Sequence, residues 1–183
     1  MLRTIAKIAF LALIVVALVG GALAMSSPSG NRVDFNFRVT LIPVAGHIDQ
    51  VQPALKFNPA DLSTASGTVT VPLSGLETGI ALRDEHAKRF LGAAAHPQAV
   101  FVLSHISGVK ALQPGKEVQA TVDGQFTLNG VTHTLQTPIQ LKLQDGKIRV
   151  STGFNVILTD YNIRILGADP ATDVKVSFIV PVR

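Results

Sequence analysis

The groups available for chemistry in this chain are five histidines, twelve carboxylates and sixteen Lys or Arg, with no cysteine. The densest grouping is Arg83-Asp84-Glu85-His86, inside "TGIALRDEHAKRFLGAAAHPQAVF" from Thr78 to Phe101. On a helix, neighbouring residues point about 100° apart, so Asp84 and Glu85 make a poor acid–base pair. Asp84 precedes Lys88 by four residues and Glu85 precedes Arg89 by four, the favourable order for ion pairs along a solvated face. Arg83, His86 and Phe90 fall on a different face. Two uses of that face compete. In one, Phe90 plugs a core while Arg83 and His86 bond loop carbonyls. In the other, Arg83 turns its planar fork toward an anionic head group, with His86 beside it.

No other constellation competes with this one. His47, His86, His96, His105 and His133 are scattered without H-E-x-x-H or another zinc spacing, so no metal is expected. A serine-nucleophile elbow and a glycine-rich phosphate loop are both missing from the sequence. No catalytic set and no cofactor are expected, and a binding protein is favoured over an enzyme.

Positioning such groups falls to the rest of the chain, whose first segment has the form of a secretory leader. Arg3 and Lys7 precede an apolar run from Ile8 to Val19, and Ala22-Leu23-Ala24 supplies an A-x-A site. The expected organisation is a signal peptide (1–24, a signal helix cleaved after Ala24), a polar linker (25–31) and one domain (32–183), in a protein of the periplasm or secreted. The rival is an uncleaved membrane anchor. Cleavage leaves 159 of the 183 residues, enough for a single core. It also removes two cations, leaving fourteen Lys or Arg against twelve acids. That balance, with no Trp, excludes a nucleic-acid footprint. An exported chain without cysteine must be held together by its core alone.

Beyond "SSPSGN", apolar residues recur at alternate positions, the period of a strand with one buried face. The series are Val33, Phe35, Phe37, Val39, Leu41; then Val51, Leu55, Phe57; then Val69, Val71, Leu73. "AVFVLSHI" (Ala99 to Ile106) is apolar on both faces. Val118 to Leu128 runs into Asn129-Gly130, a type I′ hairpin signal, and Asp145-Gly146 repeats that signal before Ile148 to Leu158. Such turns pair Leu128 with Val131, Leu143 with Ile148 and Phe126 with His133, and paired residues share a face. His133, Thr137 and Thr152 are thereby placed inward, where most polar side chains bond backbone or buried water and a minority meet a ligand. Val174 to Val182 forms a last strand. About eight antiparallel strands, one short helix and no repeat predict a barrel, which removes the edges; a two-sheet sandwich fits the same alternation.

Thr78-Gly79, Arg83-Asp84-Glu85-His86, Phe90, His96-Pro97 and the following strand resemble the signature of the YceI-like family. "FNPADLSTASGTVTVPL" and "VDGQFTLNGVTHTLQTPIQL" are similar to that family in the same order. The resemblance implies an eight-stranded antiparallel, lipocalin-like barrel with a short helix between strands, holding a polyisoprenoid or fatty tail, in a family not regarded as enzymes. The chain departs from the pattern at Phe37-Arg38-Val39-Thr40, which lacks a His, at Phe90-Leu91-Gly92, and at Leu158-Thr159-Asp160-Tyr161-Asn162.

The expected ligand-binding set is Phe35, Phe37, Val71, Phe126, Leu135 and Phe154 around the tail, with Arg83 and His86 nearer a head group, and Phe90 and His133 completing the set. The expected function is an exported carrier of a long-chain isoprenoid or fatty lipid, in transient contact with a membrane. The alternatives are a filled barrel serving as a cell-envelope stress or protein-interaction module without a lipid, and, further off, an enzyme acting on a bound isoprenoid.

Overall fold

The structure, a computed structural model, describes residues 30–182. The expected leader, its cleavage site after Ala24 and most of the linker lie outside the described residues. Gly30 and Asn31, assigned to the linker from composition, are already bonded into the fold: Ser177 Oγ donates to the Gly30 carbonyl, and the Asn31 side chain bonds two strands.

Nine strands build one antiparallel sheet: β1 (Arg32–Val39), β2 (Ile42–Ile48), β3 (Gln52–Lys56), β4 (Ser66–Pro72), β5 (Gln98–Ser107), β6 (Glu117–Leu128), β7 (Val131–Gln144), β8 (Lys147–Ile157) and β9 (Ala171–Pro181). One helix, α1 (Ala81–Phe90), lies between β4 and β5. The strand order is β2-β1-β9-β8-β7-β6-β5-β4-β3. The sheet curls until its concave face encloses the core, the lipocalin-like antiparallel architecture anticipated above. The strand count is nine rather than eight because the first alternating series is interrupted. Thr40 and Leu41 take left-handed conformations (φ 49° and 70°) and form a two-residue turn, pairing Val39 with Ile42. That turn creates β2.

The predicted hairpins have the expected register, with Leu128 opposite Val131, Leu143 opposite Ile148 and Phe126 opposite His133. Asn129-Gly130 and Asp145-Gly146 all take the positive φ of type I′ turns. Gly130 has a second reason to be glycine, since a β-carbon there would lie 2.6 Å from the His96 ring. The register of β5 shifts between Leu103 and His105. Ala99 and Leu103 are buried before the shift and Ile106 after it, a change of parity that alternation alone does not reveal.

Because β2 and β3 are the two edges, no continuous ladder joins them. The seam is held by a few directed bonds. Asn31 accepts from the Ile179 N–H of β9 at 3.0 Å and donates to the Val51 carbonyl at the entry to β3 at 3.1 Å, a pattern that fixes its amide orientation. His47 of β2 exchanges both backbone bonds with Glu77 (2.8 and 2.9 Å). At the end away from α1, the loops 57–65 and 108–116 are tied together by Leu62 N–Lys110 O and Leu112 N–Pro59 O, each 2.8 Å, with Leu62 and Leu112 buried.

Removing one Asn31 amide would orphan two backbone groups across the seam at once. Asn31→Ala should therefore lower stability by about 1–3 kcal/mol, read as a lower midpoint of urea unfolding with little change in slope.

Candidate functional site

Directed toward one another, inward residues of all nine strands line two adjoining apolar cavities. The first, about 100 Å³, lies among Leu55, Phe101, Leu135, Val150 and Phe178. The second, about 150 Å³, lies among Phe35, Phe37, Leu128, Leu158 and Val174. Val71, Ala99, Phe126, Phe154 and Val176 line both and form the waist between them. Each is smaller than most small-molecule sites, which run to about 300–1,000 Å³. Two glycines let aromatic rings lie flat on the wall: a β-carbon at Gly46 would meet Phe35 Cζ at 2.3 Å, and one at Gly124 would meet Phe101 Cζ at 2.3 Å.

Three threonines interrupt the apolar wall. Thr137 and Thr152, in the first cavity, bond one another at 3.2 Å and the carbonyls of Gly153 and Pro138, as most inward hydroxyls do. Thr172, in the second cavity, differs: its Oγ1 is buried without a hydrogen-bond partner. No group of three or more His, Asp or Glu among the described residues is placed to hold a metal.

Six of the ten residues singled out in the sequence, Phe35, Phe37, Val71, Phe126, Leu135 and Phe154, stand on the cavity wall. The four polar or plugging positions do not. Phe90 is 48% exposed and plugs nothing. The residues that roof the second cavity from this segment are Ala87 and Leu91, four apart, so the inward face of α1 is rotated from the one expected. His86 is exposed. His133 does pair with Phe126, but at the rim rather than inside: it is exposed, its Nε2 lies 3.0 Å from the Asp160 carbonyl, and its ring meets Tyr161 edge-on at 5.1 Å.

Arg83 is spent on the loop. Its Nε donates to Thr78 Oγ1 at 2.8 Å and its Nη2 to the Thr78 carbonyl at 2.6 Å. The Thr78 hydroxyl in turn donates to Asp84 Oδ1, which also accepts the Thr78 N–H at 2.7 Å. The Thr-Gly and Arg-Asp elements of the signature thus close on each other as a clasp at the start of α1. The ion pairs anticipated between Asp84 and Lys88 and between Glu85 and Arg89 are not among the salt bridges of the described residues, and Asp84 is turned to Thr78 instead. Its carboxyl is held below the usual range chiefly by the Thr78 hydroxyl, with the Thr78 N–H and the nearby Lys88 and Arg83 charges adding.

The aromatic residue that packs on the cavity wall at this end is Tyr161, buried and edge-on to Phe126 at 5.6 Å, while Phe126 meets Phe154 at 6.0 Å. Burial pushes its hydroxyl above the usual tyrosine range, with the Asp160 carboxylate adding. Leu158 ends the alternation that begins at Ile148, whereas Tyr161 and Ile165 belong to a segment without periodicity, marked only by the departure from the family pattern near Leu158.

The YceI-like domain profile matches residues 26–182, and the chain belongs to that family. No curated protein matches the chain in sequence. Among solved structures, BcnA of Burkholderia cenocepacia is similar in fold, with a TM-score of 0.72 at 16% identity over 82% of this chain and 96% of its own. A polyisoprenoid binding domain from Saccharophagus degradans, implicated in plant cell wall breakdown, has a TM-score of 0.67 at 14% identity over 84% of this chain and 94% of its own. The Campylobacter jejuni YceI protein has a TM-score of 0.64 at 16% identity, covering 76% and 85%. At these identities the likeness is one of fold.

Two outcomes test the rotated helix and its clasp. Leu91→Asp should cost at least about 2 kcal/mol, because it buries a charge, whereas Phe90→Asp should stay within about 0.5 kcal/mol in urea unfolding. A folded-state pKa below the unfolded one stabilises above the ordinary carboxylate range and ceases to do so as pH falls through the folded value. Asp84→Asn should therefore be less stable than the parent at neutral pH, with the gap closing in acid.

Proposed function

We propose that the chain is a carrier that holds the long apolar tail of an isoprenoid or other lipid in its two-lobed cavity. The observation that carries this reading is the pair of neighbouring cavities, walled almost wholly by hydrocarbon and parted only by the side chains they share. Such a space is costly to leave unfilled and unattractive to water, which needs two or more polar partners. Each buried methylene adds about 0.8 kcal/mol, so a long chain binds well without any charged contact. Membership of the YceI-like family and a fold like that of a polyisoprenoid binding domain support the same class of ligand.

The polar side of the site is slight. Arg83, His86 and His133 are engaged or exposed outside the cavity, while the unpartnered Thr172 hydroxyl is available to a single ligand oxygen. Binding therefore rests on the tail, and recognition extends over lipids of similar length, since one methylene alters affinity by only about 1–3 kcal/mol. Holding a ligand, rather than converting it, is the activity that this wall serves. The leader fits a carrier working in the periplasm or outside the cell.

Native mass spectrometry of the chain recovered from its own host should show an added lipid mass of one ligand per chain. Ala99→Phe, which fills the waist, should abolish binding of chains long enough to occupy both lobes while leaving the protein folded. Recovery of only the bare chain, and equal long-chain binding by the filled variant, would favour a barrel that acts through its surface.

A further inference from the structure

Among the described residues, large hydrophobic side chains left in water are unevenly placed. Eight are exposed, and seven of these lie at the end of the barrel that carries α1. Leu41 and Ile42 form the tip of the β1–β2 turn, Ile80, Leu82 and Phe90 belong to α1 or its approach, and Leu166 lies in the segment between β8 and β9. Ile157, at the end of β8, is the seventh; only Val102 lies on the outer wall.

These positions are held near one another. Thr40 N donates to the Gly167 carbonyl at 2.7 Å and Asp169 N to the Arg38 carbonyl at 2.9 Å, so the β1–β2 tip is fixed beside the loop that bears Leu166. Glu77 is bonded to β2 and its chain runs antiparallel to it, bringing the approach to α1 toward the same tip. The exposed set is continuous with the second cavity: Ile165 lines it while Leu166 points out, and Leu91 lines it while Phe90 points out.

Folding does not account for the tip. Leu41 is 83% exposed and sits at φ 70°, a left-handed conformation that a bulky side chain rarely takes and that Asn or Gly would fill without strain. Leu166 is 98% exposed. Both exposure and strain are maintained where they add nothing to the core. Each tip also has a cation close behind it in sequence: Arg38 before Leu41, Arg89 before Phe90 and Arg164 before Leu166, all exposed. Glu85, Asp160 and Asp169 offset these charges, so the patch has no strong sign.

We propose that this end of the barrel docks on a lipid bilayer, with Leu41, Ile42, Leu82, Phe90 and Leu166 entering the interface while the arginines extend to the headgroups. Apolar tips backed by long cationic side chains fit a surface that is greasy below and phosphate-bearing above. The near balance of charge makes the contact one of insertion, not of attraction to anionic lipid. Resting on the carrier reading, the inference gives the ligand a route: it passes between bilayer and second cavity at the α1 end without crossing water.

The test compares the chain recovered from its host with the triple variant Leu41→Asn, Ile42→Thr and Leu166→Asn. None of these residues lines the cavity, and Asn relieves the backbone at position 41. In co-sedimentation with phosphatidylcholine vesicles the parent should bind, with little change between low and high salt, and the variant should bind at least about tenfold more weakly. The variant's urea midpoint should be unchanged or raised. Its affinity for farnesol supplied in buffer should equal the parent's, while its uptake of a long prenyl chain from vesicles falls. Equal vesicle binding by the two proteins, no vesicle binding by the parent, or a parent that forms dimers lost in the variant would each overturn the docking surface. Failure of the parent to bind any prenyl chain, with vesicle binding intact, would instead remove the carrier reading and leave the docking surface standing.

Discussion

The constraint from which the rest follows is that a single sheet must hide one apolar face without a second layer to cover it. The sheet meets it by curling, and nine strands of antiparallel ladder bring the two edges around to the same side. The edges do not pair. Their closure falls to Asn31, which spans β9 and the start of β3, and to His47 and Glu77, which extend the sheet past β2 by one bridge. With no cysteine anywhere in the chain, covalent reinforcement of that seam is unavailable. Burial on the concave side must supply the stability, and the inward side chains leave two apolar cavities between them. The cavity follows from the closure rather than being carved separately.

The charged stretch that dominates the sequence serves this geometry. Its Arg and Asp enclose Thr78 from both sides, so the clasp sets where α1 begins and hence which residues roof the space. Beyond the helix, the turn at Gly92 to His96 rests on the Asn129-Gly130 hairpin; a β-carbon at Gly92 would collide with Asn129 Oδ1, and one at Gly130 with His96. Asn129 in turn donates to the Tyr161 carbonyl at 3.0 Å, so α1, the β6–β7 turn and the segment after β8 are linked in sequence. The family signature is largely a description of that linkage, and belonging to the YceI-like family specifies the roof more firmly than the ligand.

Much of this was legible in the residues, and the failures have physical causes. Register was readable wherever Asn-Gly or Asp-Gly marked a turn, since a period of two carries facing information across a hairpin without error. Thr40-Leu41 offers no such mark, and because Leu41 continues the apolar alternation, pattern alone hides both the turn and β2. On α1 the phase was set by the largest aromatic, Phe90, whereas the observed phase is set by the clasp at Thr78, five residues upstream of Arg83 and outside the helix. Pairing placed His133 on the correct face but could not say that the cavity ends before it, with Tyr161 between. Alternation identifies which side chains face inward; it does not measure how much volume they leave.

The two ends of the space are unequal, and the inequality bears on how a ligand could enter. Parting any two central strands breaks a ladder of backbone bonds and exposes both walls. The far end is cross-tied by the loops around Leu62 and Leu112 over fully or nearly buried leucines. At the near end, α1 has no buried residue, and its segment touches the cavity only through Ala87 and Leu91. Exposing one Leu and one Ala is a matter of about 2–4 kcal/mol on the transfer scale, well below the cost of opening the sheet. Gly79 (φ 79°) and Gly92 (φ 67°) bracket this segment in left-handed conformations. A fold that must close on itself to hide its apolar face therefore keeps its lightest cover at the end where its exposed apolar side chains are gathered.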